Sequence, residues 1–278
     1  MKWYLVGDRH GTYTEYCKLK HYAEKDEQVA VIVLGDCGLN YFLNDLDDKL
    51  KRYVNDLGLL VYCVRGNHEE RPERSCPDME IVWDELTQGY VYQQEKYPNI
   101  RYFIDGGEYI FKTDEAIYSA LVIGGAYSVD KYHRLRNGWN WFEDEQLTKE
   151  EKEYIENKVS GKHFDFILTH TCPLSCQPTD MFLSTIDQTT VDNSMERWLD
   201  ELKDKISWGV WCFGHYHADR IEAPFVEMFY KDIENIDNVW DRWTRFKNTH
   251  EKGINELDWW LETSPYFELR AQEQGYSL

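Results

Sequence analysis

The sequence predicts an α/β fold with a largely parallel inner sheet. Short β-branched and apolar runs recur along the chain, and polar stretches of helical length separate the first three. A polar cluster also follows nearly every run. The runs expected as buried strands are Trp3–Val6, Val29–Leu34, Leu59–Val64, Ala120–Ile123, Phe164–Thr169, Val210–Phe213 and Phe225–Tyr230. Thr14–Glu27 and Asn44–Leu57 fill the first two gaps, giving a βαβαβ order. Later runs follow shorter connections, which suits a second, mixed sheet packed against the first. Further helices are expected over Glu145–Asn157 and Asp192–Lys205. The latter opens near Asp192-Asn193-Ser194 and has apolar positions at Met195, Trp198, Leu199 and Leu202.

A chain of 278 residues can bury a substantial core, so one large domain, or a domain with an appendage, is the natural arrangement. The main domain is expected over 1–235. Within it, 70–118, rich in Tyr, Glu and Asp, breaks the pattern and reads as a long insertion. The stretch 236–278 carries Trp240, Trp243, Trp259 and Trp260, too many aromatics for a disordered tail, and reads as an extension packed back on the domain or on a neighbour. No apolar run approaches the roughly 20 residues of a helical membrane span. The apolar part of the first eight residues is too short for a signal peptide, so a cytoplasmic protein is expected. Seven cysteines without a CxxC pair read as reduced thiols, Cys172 and Cys176 among them. The formal charge of −20 repels polyanions, and no Lys/Arg block reverses it, so nucleic acid is disfavoured as a partner.

The polar clusters carry the chemistry. Gly7-Asp8-Arg9-His10-Gly11 follows the first run, Gly35-Asp36 the second, and Arg65-Gly66-Asn67-His68-Glu69 the third. His170 ends a later run, and Gly214-His215-Tyr216-His217 follows the next. In an open α/β sheet the strand C-termini meet along one edge, where ligand sites form. Five of the nine histidines lie in these clusters, with two aspartates and one asparagine. Carboxylate, imidazole and amide donors together suit borderline divalent ions such as Mn, Fe or Zn. His21, His133, His163 and His250 lie outside the clusters and read as structural or surface residues.

In this order the clusters resemble the signature of the calcineurin-like metallophosphoesterases, over residues 7–217. Val64-Arg65-Gly66-Asn67-His68-Glu69 is especially similar to the Ser/Thr protein phosphatase branch. The stretch from Ile123 to Lys131 resembles uncharacterised bacterial and phage-type members of the family, and could wall a substrate pocket together with Arg134, Arg136 and Trp141. The resemblance implies a four-layer α/β/β/α sandwich with two metal ions at the strand ends. It implies that Asp8, His10 and His217 bind one ion, that Asn67, His170 and His215 bind the other, and that Asp36 bridges both. A hydroxide shared by the ions would attack phosphorus in line. His68, outside the ligand set, would protonate the leaving alkoxide as general acid.

One departure stands out. The Ser/Thr phosphatases follow the second motif with Asp-Arg-Gly, which supplies a carboxylate that orients the histidine and an arginine that binds phosphate. Here the stretch reads Gly35-Asp36-Cys37-Gly38-Leu39-Asn40, and both groups are missing. Arg9 and Arg65 are therefore the expected phosphate-binding arginines, with Asn67 beside them and Arg71 as a further candidate. The expected function is phosphoester hydrolysis, with a phosphorylated small molecule or protein as substrate. The alternatives are a non-catalytic scaffold on the same fold and, among enzymes, a protein phosphatase against a nucleotide or metabolite phosphodiesterase.

Overall fold

Every residue of Val29–Val33 is buried, as a strand covered on both faces requires. The computed structural model, which describes residues 1–23, 28–222 and 226–251, places that strand near the middle of a seven-stranded sheet. In chain order the elements are β1 (Lys2–Val6), α1 (Tyr13–Ala23), β2 (Val29–Val33), α2 (Asp45–Asn55), β3 (Leu60–Cys63) and α3 (Pro72–Ser75). Then come β4 (Met79–Asp84), β5 (Gly89–Gln94), β6 (Ile100–Phe103), β7 (Gly107–Lys112), β8 (Ile117–Ile123), α4 (Lys131–Asn137), α5 (Lys149–Val159) and β9 (His163–Thr169). After three short 3-10 turns follow α6 (Ser194–Lys203), β10 (Ser207–Phe213), β11 (Arg220–Glu222), β12 (Val226–Met228), β13 (Ile233–Asn235) and α7 (Ile236–Glu251).

The first sheet has the order β13-β1-β2-β3-β6-β5-β4, with β1, β2, β3 and β6 parallel. The second has the order β11-β12-β10-β9-β8-β7, with β12, β10, β9 and β8 parallel. Antiparallel strands close the edges, so both sheets are mixed. The two-residue period of a strand separates the layers. Val31, Val33 and Val61 pack with Tyr16, Leu19, Leu50 and Val54 of α1 and α2. The intervening positions face the other sheet: the Trp3 ring lies 5.1 Å from Tyr62 and 4.8 Å from Phe111 of β7. On the far side Leu121, Ile167 and Trp211 pack with Ile155 and Val159 of α5 and Met195, Trp198, Leu199 and Leu202 of α6. The order of layers is thus α/β/β/α. Trp3 is fully buried between the sheets, where truncation to alanine costs about 3–5 kcal/mol.

Residues 70–118 differ from the expected insertion. They add β4, β5 and β6 to the first sheet and β7 to the second, and so carry the chain from one sheet to the other. Their edge strands are solvated on one face, as in Met79–Asp84, and so do not read as continuous apolar runs. The helix expected from Glu145 begins instead at Lys149. Thr148 and Glu151 form a reciprocal capping box there, with Glu151 N donating to Thr148 Oγ1 and Thr148 N donating to Glu151 Oε2.

The chain divides into two units, Met1–Asp237 and one that starts at Asn238, of which 238–251 is described. In the second unit the rings of Trp240 and Trp243 lie 4.5 Å apart. Trp259, Trp260 and the end of the helix expected to reach Glu27 lie outside the described residues. No helix among the described residues is long and apolar enough to cross a membrane.

Candidate metal centre

The parallel strands deliver the clusters to one edge. Asp8 follows β1, Asp36 follows β2, Asn67 follows β3, His170 follows β9, and His215 and His217 follow β10. The turns that carry these residues are tight. Among the described residues six non-glycines have positive φ, and four of these are expected ligands: His10 at 45°, Asp36 at 47°, His215 at 70° and His217 at 54°. Backbone strain is thereby concentrated where donor side chains must converge. Two glycines make room for them. A Cβ on Gly35 would overlap the His170 ring, and one on Gly66 would overlap the Asp36 carboxylate.

Three groups of donor atoms form, each with all atoms within 4.8 Å of one another: Asp8 with His10 and His217, His10 with Asp36 and His68, and Asp8 with Asp36 and His170. In the first group His10 Nε2 and His217 Nε2 are 2.8 Å apart, and lie 3.7 and 3.1 Å from Asp8 Oδ2. That oxygen is buried and makes no hydrogen bond among the described residues. Its partner Oδ1 accepts from His215 N at 2.9 Å, which fixes the carboxylate. Asp36 Oδ1 likewise accepts from His68 N at 2.8 Å and lies 3.5 Å from His170 Nε2. His170 Nδ1–H donates to Leu34 O at 2.9 Å, so in the neutral ring Nε2 carries the lone pair. That nitrogen lies 2.8 Å from Asn67 Oδ1. A buried carboxylate oxygen without a donor, beside two imidazole nitrogens, fits a divalent cation. His215 belongs to none of the three groups; its ring stands 5.0 Å from that of His170.

The family model described as calcineurin-like phosphoesterase matches residues 1–219. The chain belongs to this family. No curated protein matches it. Among solved structures, the phosphopantetheinyl hydrolase PptH of Mycobacterium tuberculosis is similar at 14% identity. Its TM-score is 0.47, with 87% of this chain and 92% of that chain covered, a likeness too slight to carry argument.

The electrostatics suit a member of the calcineurin-like phosphoesterases. Burial alone would raise the Asp36 carboxyl, but His68, His170 and His10 together hold it well below the usual carboxylate range. Asp8 is balanced in the same way, burial raising it while the close approach of His217 and the charges of His170 and His10 lower it further. Burial, with the His170 charge beside it, pushes His215 down to about 3, so it is a neutral donor. His217 shifts up, chiefly through the Asp8 carboxylate beside it. His68 is lowered by burial and by Arg134, against the opposing pull of Asp36.

Arg9, Arg65 and Arg71 are each engaged by the scaffold. Arg9 is 1% exposed, and its Nε donates to Gly7 O at 3.0 Å, its amino groups to Glu15 and to Tyr230 O. Arg65 donates to Asp105, Glu145 O and Gly124 O, and Arg71 to Asp144, Gln146 O and Glu151. Neighbouring residues at a strand end diverge, and the flanking Asp8 and His10 face the donor groups while Arg9 faces the scaffold. The guanidinium that reaches the site is that of Arg134, which contacts the His68 ring. Asp130 accepts from Arg134 Nε at 2.9 Å. An arginine and a carboxylate absent from the second motif are thus present on α4. The signal in the sequence was Asp130-x-x-x-Arg134, an i,i+4 pair ahead of Asn137-Gly138, where Gly138 closes the helix at φ 68°.

Proposed function

We propose that this phosphoester hydrolase works with two divalent ions, Mn, Fe or Zn, on a phosphorylated small molecule or protein. One observation carries the reading: Asp36 Oδ2 lies 3.8 Å from His10 Nδ1 of one proposed ligand set and its Oδ1 lies 3.5 Å from His170 Nε2 of the other, as a carboxylate shared between neighbouring ions would. Asp8, His10 and His217 would hold one ion, Asn67, His170 and His215 the other. When bound, the ions would supply charge to the phosphate oxygens and activate water.

The chain's own residues do the rest. His215 N and His68 N hold one oxygen of Asp8 and of Asp36, leaving the second oxygen of each free toward the site. Arg134 presents its guanidinium beside His68, where it would meet a phosphate oxygen turned away from the ions. His68 is the proposed proton donor to the leaving oxygen. Burial and Arg134 disfavour its charged form, and a phosphate anion alongside the ring offsets that.

The test is metal analysis joined to turnover of p-nitrophenyl phosphate and its bis ester. About two ions per chain and turnover that falls after chelation and returns with metal would support the reading. Undiminished turnover after chelation and dialysis would end it, and two bound ions without turnover of either ester would favour the scaffold.

A further inference from the structure

We propose that Ser128, fixed by Glu145, is a positioning residue that sets which end of the Asn67 amide faces the metal donors. The proposal rests on Asn67 being a ligand. An amide oxygen and an amide nitrogen are nearly the same size, but only the oxygen can bind a cation. A buried asparagine ligand therefore needs something that tells its two ends apart.

The chain of hydrogen bonds behind Asn67 does this. Trp141 Nε1 donates to Glu145 Oε2 at 2.9 Å, and Ser128 N donates to Glu145 Oε1 at 3.0 Å. In the ionised carboxylate both oxygens are acceptors, and each takes one of these N–H groups. Ser128 Oγ lies 2.5 Å from Glu145 Oε2, so its hydrogen points there and a lone pair is left on its other side. Asn67 Nδ2 meets that lone pair at 2.8 Å, which only an NH2 group can do. Asn67 Oδ1 is thereby turned to His170 Nε2 at 2.8 Å, the nitrogen that carries the lone pair in the neutral ring. In the neutral ring two acceptors then face each other, and they repel unless a proton or a metal ion lies against them. Asn67, Ser128 and Glu145 are each at most 3% exposed, so water does not substitute for any of these partners.

Ser128, Trp141 and Glu145 all lie between β8 and α5, far in sequence from Asn67. Arg65 clamps this segment to the third motif through Glu145 O and Gly124 O. The arginine expected to bind phosphate instead holds the residues that orient its neighbour but one.

The experiment is titration of the full-length, metal-stripped chain with Mn²⁺ alone, read by calorimetry. Ser128→Ala should weaken one of the two ions by roughly 10- to 100-fold and leave the other unchanged, as loss of an outer-shell partner does. Ser128→Thr, which keeps the hydroxyl, should restore it. Glu145→Gln is close in shape, but one end of its amide must be an NH2. At either end that NH2 opposes an N–H donor, Trp141 Nε1 or Ser128 N, so the acceptor that fixes Ser128 is disturbed and the same ion should weaken. The decisive comparison uses Asn67→Asp, whose two oxygens make orientation irrelevant. On that background Ser128→Ala should change affinity less than about twofold. An undiminished effect there would overturn the relay and assign Ser128 a packing role. If Asn67→Ala leaves both affinities unchanged, the ligand reading fails first and the relay with it. If Asn67→Ala weakens one ion and Ser128→Ala and Glu145→Gln do not, only the relay fails.

Discussion

Replacing Arg134 with lysine keeps a positive charge beside His68 and removes the fork that reaches it. The guanidinium is 1% exposed and divides its donors among Asp130 Oδ2 at 2.9 Å, Asn140 O at 3.4 Å and the His68 ring. A lysine ammonium is a single point on a flexible stem and can keep the Asp130 contact, but not the face turned to His68. One charge-assisted hydrogen bond contributes about 1.5–3 kcal/mol. At about 1.4 kcal/mol per factor of ten, kcat/KM should fall about 10- to 100-fold. Stability should change little, because the Asp130 side chain is 40% exposed and the ammonium keeps its contact. The ion pair is then worth at most ~1 kcal/mol, and Tm should drop by no more than about 4 °C. The assay is steady-state hydrolysis of p-nitrophenyl phosphate by the Mn-loaded protein, with inorganic phosphate as competitive inhibitor. The inhibition constant should rise with the loss in kcat/KM. If both stay within twofold of the wild type, Arg134 does not meet the phosphate and the reasoning fails.

Arg9→Lys should do the opposite. It removes donors from the carbonyls of Gly7 and Tyr230, so thermal melting should show a loss of several degrees while kcat/KM stays within about twofold. Glu196 gives a pH test. It is 3% exposed, Thr171 Oγ1 donates to its Oε1, its Oε2 makes no hydrogen bond among the described residues, and burial raises its pKa above the ordinary 4.5. The folded chain then binds the proton more tightly than the unfolded chain, so this group's contribution to stability falls as pH rises above 4.5. Glu196→Gln should therefore match the wild type in Tm below that pH and exceed it increasingly toward neutrality. A gap that does not grow with pH would show that Glu196 is not strained by its charge.

Much of the site was legible because its residues follow apolar runs directly. Asp8, Asp36, Asn67 and His170 each end a strand whose burial is written in its composition, and a parallel sheet brings strand ends together whatever the intervening chain does. The direction of a side chain is written nowhere so local. Arg9 sits between two expected ligands and turns into the scaffold, while Arg134 reaches His68 across 66 positions of sequence through a helix of two turns. The same limit hid Ser128 and Glu145, whose meaning lies in hydrogen-bond polarity rather than in residue type. The strands within 70–118 were not legible for a different reason: half-solvated edge strands alternate polar and apolar residues, and Tyr and Gln blur that alternation.

The left-handed residues at the metal centre have a consequence for engineering. A non-glycine residue held at positive φ costs of order 1 kcal/mol, and His10, Asp36, His215 and His217 each carry that cost. Screening variants of this chain for heat resistance alone would therefore favour glycine at the three histidines, whereas Asp36 is also held by the hydrogen bond from His68 N. Such a screen would converge on a sturdier protein that lacks proposed metal ligands, because here the most stable backbone and the working one would be different sequences.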